Sequence, residues 1–292
     1  MPNTIALMSK FANMLDEVYA VESRTSILDA SADVVRAGNS ANEIKIPKMS
    51  MSGLANHERN GNYSDGSVTI AYESVKFNYD RSRKFTVDIM DDEETAGIAF
   101  GQLSSQFVRT KVVPEMDAFR FATYASNVGI QSKNMEAAIT DGTIALSEIV
   151  SGMVACDEAD VPVDGRVLFI TPTLYTLVNS VDTYKSKEIL NGFSKIVTVP
   201  QNRFYTAIDL LDGRTGGEVE GGYKKADSAK NINFMIIQSD SVIQFTKHTV
   251  NKIVKPEDNQ SGDGWMFFYR AYGLSDAYEN KLKGIYLNAS NT

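Results

Sequence analysis

Four consecutive carboxylates, Asp91, Asp92, Glu93 and Glu94, form the densest chemically useful cluster in this 292-residue sequence. Such a set can hold Mg²⁺ or Ca²⁺ through oxygen ligands, which is the starting point for a small metal-dependent enzyme. Adjacent carboxylates at a helix start point in different directions, however. There they cap unpaired backbone N–H groups and complement the helix dipole. Glu115 and Asp117, beside Pro114, have the residue types of a glycosidase pair, but two positions apart on a helix they diverge. The run Asp212 to Lys225, DGRTGGEVEGGYKK, invites a phosphate-loop reading and fails it, because no glycine is followed directly by Lys and then Ser or Thr. Gly213, Gly216, Gly217, Gly221 and Gly222 read instead as a mobile surface loop. His57 and His248 are far apart and neither has a second ligand at metal spacing. The single cysteine, Cys156, excludes an intramolecular disulfide and a multi-cysteine zinc cage; it ends an apolar helical pattern and packs as a small hydrophobe. With no GxSxG, HExxH, CxxC or dinucleotide-binding glycine pattern, the sequence offers no catalytic constellation. We expect no enzyme, no cofactor and no metal.

The elements around these residues read as scaffold. Asp91 to Ser126 is expected to be one long helix, entered through the acidic cap and carrying Phe100, Leu103 and Phe107 as an apolar stripe. Pro114 removes a hydrogen bond inside it and should bend or interrupt it; Met116 and Phe119 resume the spacing while Glu115, Asp117 and Arg120 stay polar. Ile5 to Tyr19 is amphipathic and, ahead of the polar stretch Arg36 to Glu43, reads as an arm that docks onto a neighbouring subunit. EIKIPK from Glu43 is a short strand, and Ser52 to Ser67 a long loop. Ser67 to Asp80 alternates with a change of phase at Glu73-Ser74, the mark of a bulge. A turn at Arg81-Ser82-Arg83 leads into a strand through Phe85, Val87 and Ile89. A helix from Glu136 to Cys156 is expected to carry Ile144, Ile149, Val150, Met153 and Val154 on its apolar, packed side. RVLFIT from Arg166 is a strand and Pro172 a helix start. Strands follow at 193–199, 206–211, 233–237, 242–245, 266–269 and 284–288, with a polar loop from Lys255 to Gly264. The fold class is α+β.

Four segments carry a resemblance. RTKVVPEMDAFRFATYAS, preceded by DDEET, resembles the spine helix of tailed-bacteriophage major capsid proteins with the Hong Kong 97-like shell fold. IPKMSMSGLANHERNGNY near Ile46, VPQNRFYTAIDLLDG near Val199, and NINFMIIQSDSVIQFTKHTVNKIVKPEDNQ onward from Asn231 agree with it and fall in that family's order. The resemblance implies an N-terminal arm at 1–43 and an extended β-ribbon loop at 44–84 laid over an adjacent subunit. It further implies a peripheral domain with the spine helix at 85–135 and 233–292, and an axial domain at 136–232. Such a subunit builds hexamers and pentamers of an icosahedral virion shell around double-stranded DNA, assembled in the bacterial host cytoplasm with a portal protein. An encapsulin-like nanocompartment shell is the alternative with the same fold. A lone hairpin is marginal in water, so the ribbon requires completion by a partner. Contact residues expected between subunits are Phe11 and Leu15 on the arm, Arg59 and Tyr63 on the loop, and Arg81 and Arg83 at the ribbon turn. Some relatives cross-link subunits through a Lys and an Asn with an acid as base; Lys76 and Lys84 lie in or beside the loop, but no partner Asn or acid aligns and no such chemistry is assigned.

Composition fits. A hydrophobic fraction of 43% is that of a globular chain. A net charge of −8 argues against a surface that grips nucleic acid throughout; a mildly acidic wall would confine DNA without trapping it. No secretory signal is evident, and no run is long enough to span a bilayer. Some relatives begin with a long charged helical segment that serves as a built-in scaffold. About forty residues precede the first strand here, so no such segment is expected, and the resemblance then implies a separate scaffolding protein. The chain expressed by itself is therefore expected to give few correct shells under the electron microscope; abundant uniform shells would contradict this.

Overall fold

The computed structural model describes residues 23–29, 43–57, 64–89, 104, 106–181 and 183–291. The acidic run Asp91 to Glu94 and the helix expected at Ile5 to Tyr19 lie outside the described residues. In chain order, β1 (Glu43–Met51) and β2 (Val68–Lys76) form a two-stranded ribbon, and β3 (Tyr79–Val87) leads toward the long helix. That helix is described through a π-helical turn, Val108–Val112, and then α1 (Val113–Ser126). β4 (Gln131–Met135), α2 (Gly142–Glu158), β5 (Arg166–Ile170), α3 (Pro172–Val181), α4 (Thr183–Leu190) and β6 (Lys195–Thr198) follow. A short hairpin, β7 (Ile208–Leu210) and β8 (Tyr223–Lys225), precedes β9 (Asn231–Gln238), β10 (Val242–Val254), β11 (Trp265–Ala277) and β12 (Ile285–Ser290).

Two sheets organise the molecule. β10, β11 and β3 pair antiparallel, while the larger sheet runs β4-β12-β9-β5-β6. β5 is buried along its whole length, as strands covered on both faces are. Val167 and Phe169 meet Phe121 and Tyr124 of α1, whereas Leu168 and Ile170 meet Leu146 and Ile149 of α2 and Leu174 and Val178 of α3. α2 starts where the Asp141 carboxylate accepts from Thr143 N–H at 2.6 Å, a side-chain N-cap. It lies so close to the sheet that a Cβ on Gly152 would stand 2.9 Å from Ile236 and Tyr286 side chains. The larger sheet crosses the domain division expected at 232/233: β9 and β12, assigned to the peripheral domain, bond directly into the sheet of β5 and β6.

The helix running into α1 serves both sheets. Phe107, Val108, Val112 and Met116 pack on Tyr79, Phe85, Phe267 and Tyr269 of the three-stranded sheet, with Phe107 and Phe85 rings edge-to-face at 4.8 Å. Phe121 and Tyr124 reach the larger sheet. The interruption expected at Pro114 takes the form of the π turn just ahead of it, where Val113 N–H bonds back to the Val108 carbonyl. A widened turn absorbs the donor that proline lacks, without ending the helix.

The polar side of α1 is not a solvated face. Glu115, Asp117 and Arg120 are all buried, and Asp117, wholly buried, gathers the segment Ser23 to Asp29. It accepts from Ser23 Oγ at 2.9 Å, Arg24 N at 3.0 Å, and Thr25 N and Oγ1 at 3.3 and 2.8 Å, with Arg203 Nη1 at 3.4 Å. Arg120 donates to Thr25 Oγ1 at 2.8 Å and to Asp29 at 3.3 Å. Leu28 enters the core beside Phe121 and Tyr124. This portion of the expected arm therefore docks on its own chain; Phe11 and Leu15 lie outside the described residues. Replacing Asp117 by Ala leaves several buried donors without an acceptor. The variant Asp117→Ala is expected to lose about 3–5 kcal/mol of stability in urea denaturation, with faster proteolysis near Ser23 to Asp29; a loss under about 1 kcal/mol, as for an ordinary surface change, would contradict the role.

Candidate assembly surfaces

The β1–β2 ribbon is apolar on opposite faces at its two ends. Residues facing one another in its register share a face. One face carries Glu43 opposite Lys76 and Lys45 opposite Ser74 at the base, then Pro47 opposite Tyr72, Met49 opposite Ile70 and Met51 opposite Val68 toward the tip. The other carries Ile44 opposite Val75 at the base, then Lys48 opposite Ala71 and Ser50 opposite Thr69. The base of this second face is buried: Ile44 and Val75 pack on Ile243 of β10 and Leu274 of β11. Lys48, on the same face, bonds Glu279 at 2.6 Å. The apolar stripe toward the tip has no such cover among the described residues, and Met49, Met51, Val68, Ile70 and Tyr72 are each more than half exposed. Covering each of them is worth roughly 1–2 kcal/mol.

This geometry corrects the reading of a bulge at Glu73-Ser74. Pairing runs unbroken through Ile46–Glu73 and Lys45–Ser74; the change of phase marks the face that is covered, not an extra residue. It also moves Arg81 and Arg83. They are not at a ribbon turn but within β3, opposite Ala271 and Tyr269 of β11, so the ribbon ends at Lys76 and Lys84 belongs to the sheet. Arg81 Nε bonds Glu115 at 2.7 Å, and its Nη2 bonds the Gly222 carbonyl at 3.1 Å. Arg83 Nη2 bonds the Val219 carbonyl at 3.2 Å. Both arginines thus hold the glycine-rich loop, expected to be mobile, against β3. Within it, hydrogen bonds from the Thr215 hydroxyl and amide and from Arg214 N–H bring the Asp212 carboxyl to about 2, and Gly217 sits at φ 92°, a conformation that favours glycine. Arg59 and Tyr63 lie outside the described residues.

A second exposed apolar set lies on the helices. Ile144, Val150 and Val154 of α2 are exposed, although the sequence pattern placed them with Ile149 on the packed side. The buried side is instead Ala145, Leu146, Ile149, Gly152 and Cys156. Burial pushes the Cys156 thiol up, against the nearby Arg166 guanidinium, which keeps it protonated and unreactive. Glu115 and Asp117 form no pair; one serves Arg81 and the other Ser23, Arg24 and Thr25. Among the described residues no group of three or more His, Cys, Asp or Glu is placed to hold a metal ion, and no helix is long and apolar enough to cross a membrane.

No family model matches this sequence, and no curated protein matches it. Solved structures do. A chain from Gordonia phage Cozz superposes with a TM-score of 0.60 at 10% identity, over 93% of this chain and 87% of that one. The capsid structure of the cyanophage P-SCSP1u gives 0.58 at 11% identity, over 90% and 86%. A virus-like particle from Pyrococcus furiosus gives 0.53 at 12% identity, over 96% and 98%. The chain therefore has the α+β fold of phage capsid chains.

Proposed function

We propose that this chain is the major capsid subunit of a tailed phage. It assembles with copies of itself into hexamers and pentamers and closes an icosahedral shell around double-stranded DNA. A separate scaffolding protein and a portal protein are its partners in assembly, and its place is the virion. The observation that carries this reading is the ribbon: anchored through Ile44 and Val75, it leaves Met49, Met51, Val68, Ile70 and Tyr72 without cover among the described residues. A protruding stripe of this kind is stable when an identical neighbour completes it, and repeated modest contacts close a shell because each new one forms at high effective concentration. The fold shared with phage capsid chains supports the same conclusion. The exposed Ile144, Val150 and Val154 of α2 are a further surface for such contacts.

The likeness to a virus-like particle from Pyrococcus furiosus favours a second reading, a nanocompartment shell that holds enzymes instead of a genome. Particle contents separate the two: packaged DNA supports the first, protein cargo the second. Replacing Met49 and Ile70 by Asp is expected to reduce particle yield at least about tenfold, since both members of a cross-strand pair lose their cover. The subunit's own melting temperature should move by no more than about 2 °C, because both positions are exposed in it. Undiminished particles from the double variant, seen by negative-stain microscopy, would overturn the role assigned to the ribbon.

A further inference from the structure

An open cleft of about 720 Å³ lies between the π turn ahead of α1 and the β7–β8 hairpin. Arg109 and Lys111 line it from the helix, Arg203 from the turn after β6, and Lys224 and Lys225 from β8. Among the described residues, no Asp or Glu lines it. This concentration stands out in a chain of net charge −8. The nearby carboxylates are set back: Asp117 meets Arg203 at 3.4 Å, and Asp209 stands 3.8 Å from Lys224. Arg203 Nε is a buried donor with no hydrogen-bond partner among the described residues, the kind of group that costs stability unless something accepts from it. Tyr205 and Tyr223 interleave with the cations, and Lys225 sits over the Tyr205 ring at 5.5 Å.

We propose that this cleft binds the phosphate groups of a nucleic-acid backbone. Its cations come from three separate elements, which suits a polymer with a charge at every repeat. Positive charge alternating with aromatic side chains is what grooves for single-stranded nucleic acid use; an acidic peptide would draw on the charges alone. The contacts are to phosphate, so they carry no base specificity. A local basic cleft in an acidic chain grips only a few phosphates and leaves most of the surface repulsive to DNA. The site stands on these residues whether or not the subunit forms shells, and its test uses the unassembled full chain.

Fluorescence anisotropy with a labelled oligothymidine of about 12 nucleotides tests it. Lys111 and Lys224 are exposed side chains, and the double variant Lys111→Gln, Lys224→Gln is expected to bind about tenfold more weakly at low salt, with the log–log salt slope reduced by about 1.5. Lys111→Arg with Lys224→Arg should bind as the parent does, which separates charge from folding. Exchange of two lysines elsewhere, Lys252→Gln with Lys283→Gln, should leave affinity within about twofold. Unchanged binding by the first variant would overturn the proposal. So would displacement of the oligonucleotide by polyglutamate at equal charge, which would make the ligand an acidic protein, or binding of inorganic phosphate without the oligonucleotide.

Discussion

A two-stranded ribbon has two faces and, at its base, one neighbour. That constraint governs this molecule. The three-stranded sheet covers Ile44 and Val75 from below, and nothing within the described subunit covers Met49, Met51, Val68, Ile70 and Tyr72 on the other face. The apolar residues thus change sides along the ribbon, from the covered face at the base to the opposite face toward the tip. Burial within the chain fixes the base in register, and a one-residue slip would put Ile44 and Val75 on the wrong face.

The ribbon can project because its root is rigid. β3, directly after it, pairs with β11 along its full length and is tied to α1 by Arg81 and Glu115 at 2.7 Å. α1 in turn packs on both sheets, and through Asp117 and Arg120 it gathers Ser23 to Asp29. Tyr124, whose phenol burial pushes well above its ordinary range, donates to Gln244 at 2.7 Å, and Gln244 bonds Thr25 and Asp29. One helix thus holds the two sheets, the ribbon's root and the described end of the N-terminal segment. Buried charge in such a helix is satisfied by named donors, which makes the arrangement specific as well as stable.

Much of this was legible in the sequence where local signals and burial agree. RVLFIT reads as a strand because both faces of β5 are covered, and Pro172 marks the helix after it. The polar turn from Lys255 and the proline interruption also follow from local chemistry. The failures have a common cause: partners distant in sequence. Asp117 reads as polar surface until Ser23, Thr25 and Arg203 are brought to it. Arg81 and Arg83 read as a turn because alternation with Ser82 and Lys84 hides a strand whose apolar members are few; its pairing to β11 decides the matter. Sequence order also cannot assign β9 and β12 to one sheet and β10 and β11 to the other. The exposed stripe had a signal, the phase change in β2, but its meaning needed the register with β1.

The central claim is that the ribbon's outer stripe is exposed in the subunit and covered by a second copy in the assembly. Oxidative footprinting by mass spectrometry measures this at Met49 and Met51, with the buried Met235 as internal reference. Brief peroxide treatment should oxidise both ribbon methionines readily in unassembled subunits and about tenfold more slowly in assembled particles. Equal rates in the two states would show that no neighbour covers the stripe, contradicting the ribbon's role in holding copies of the chain together.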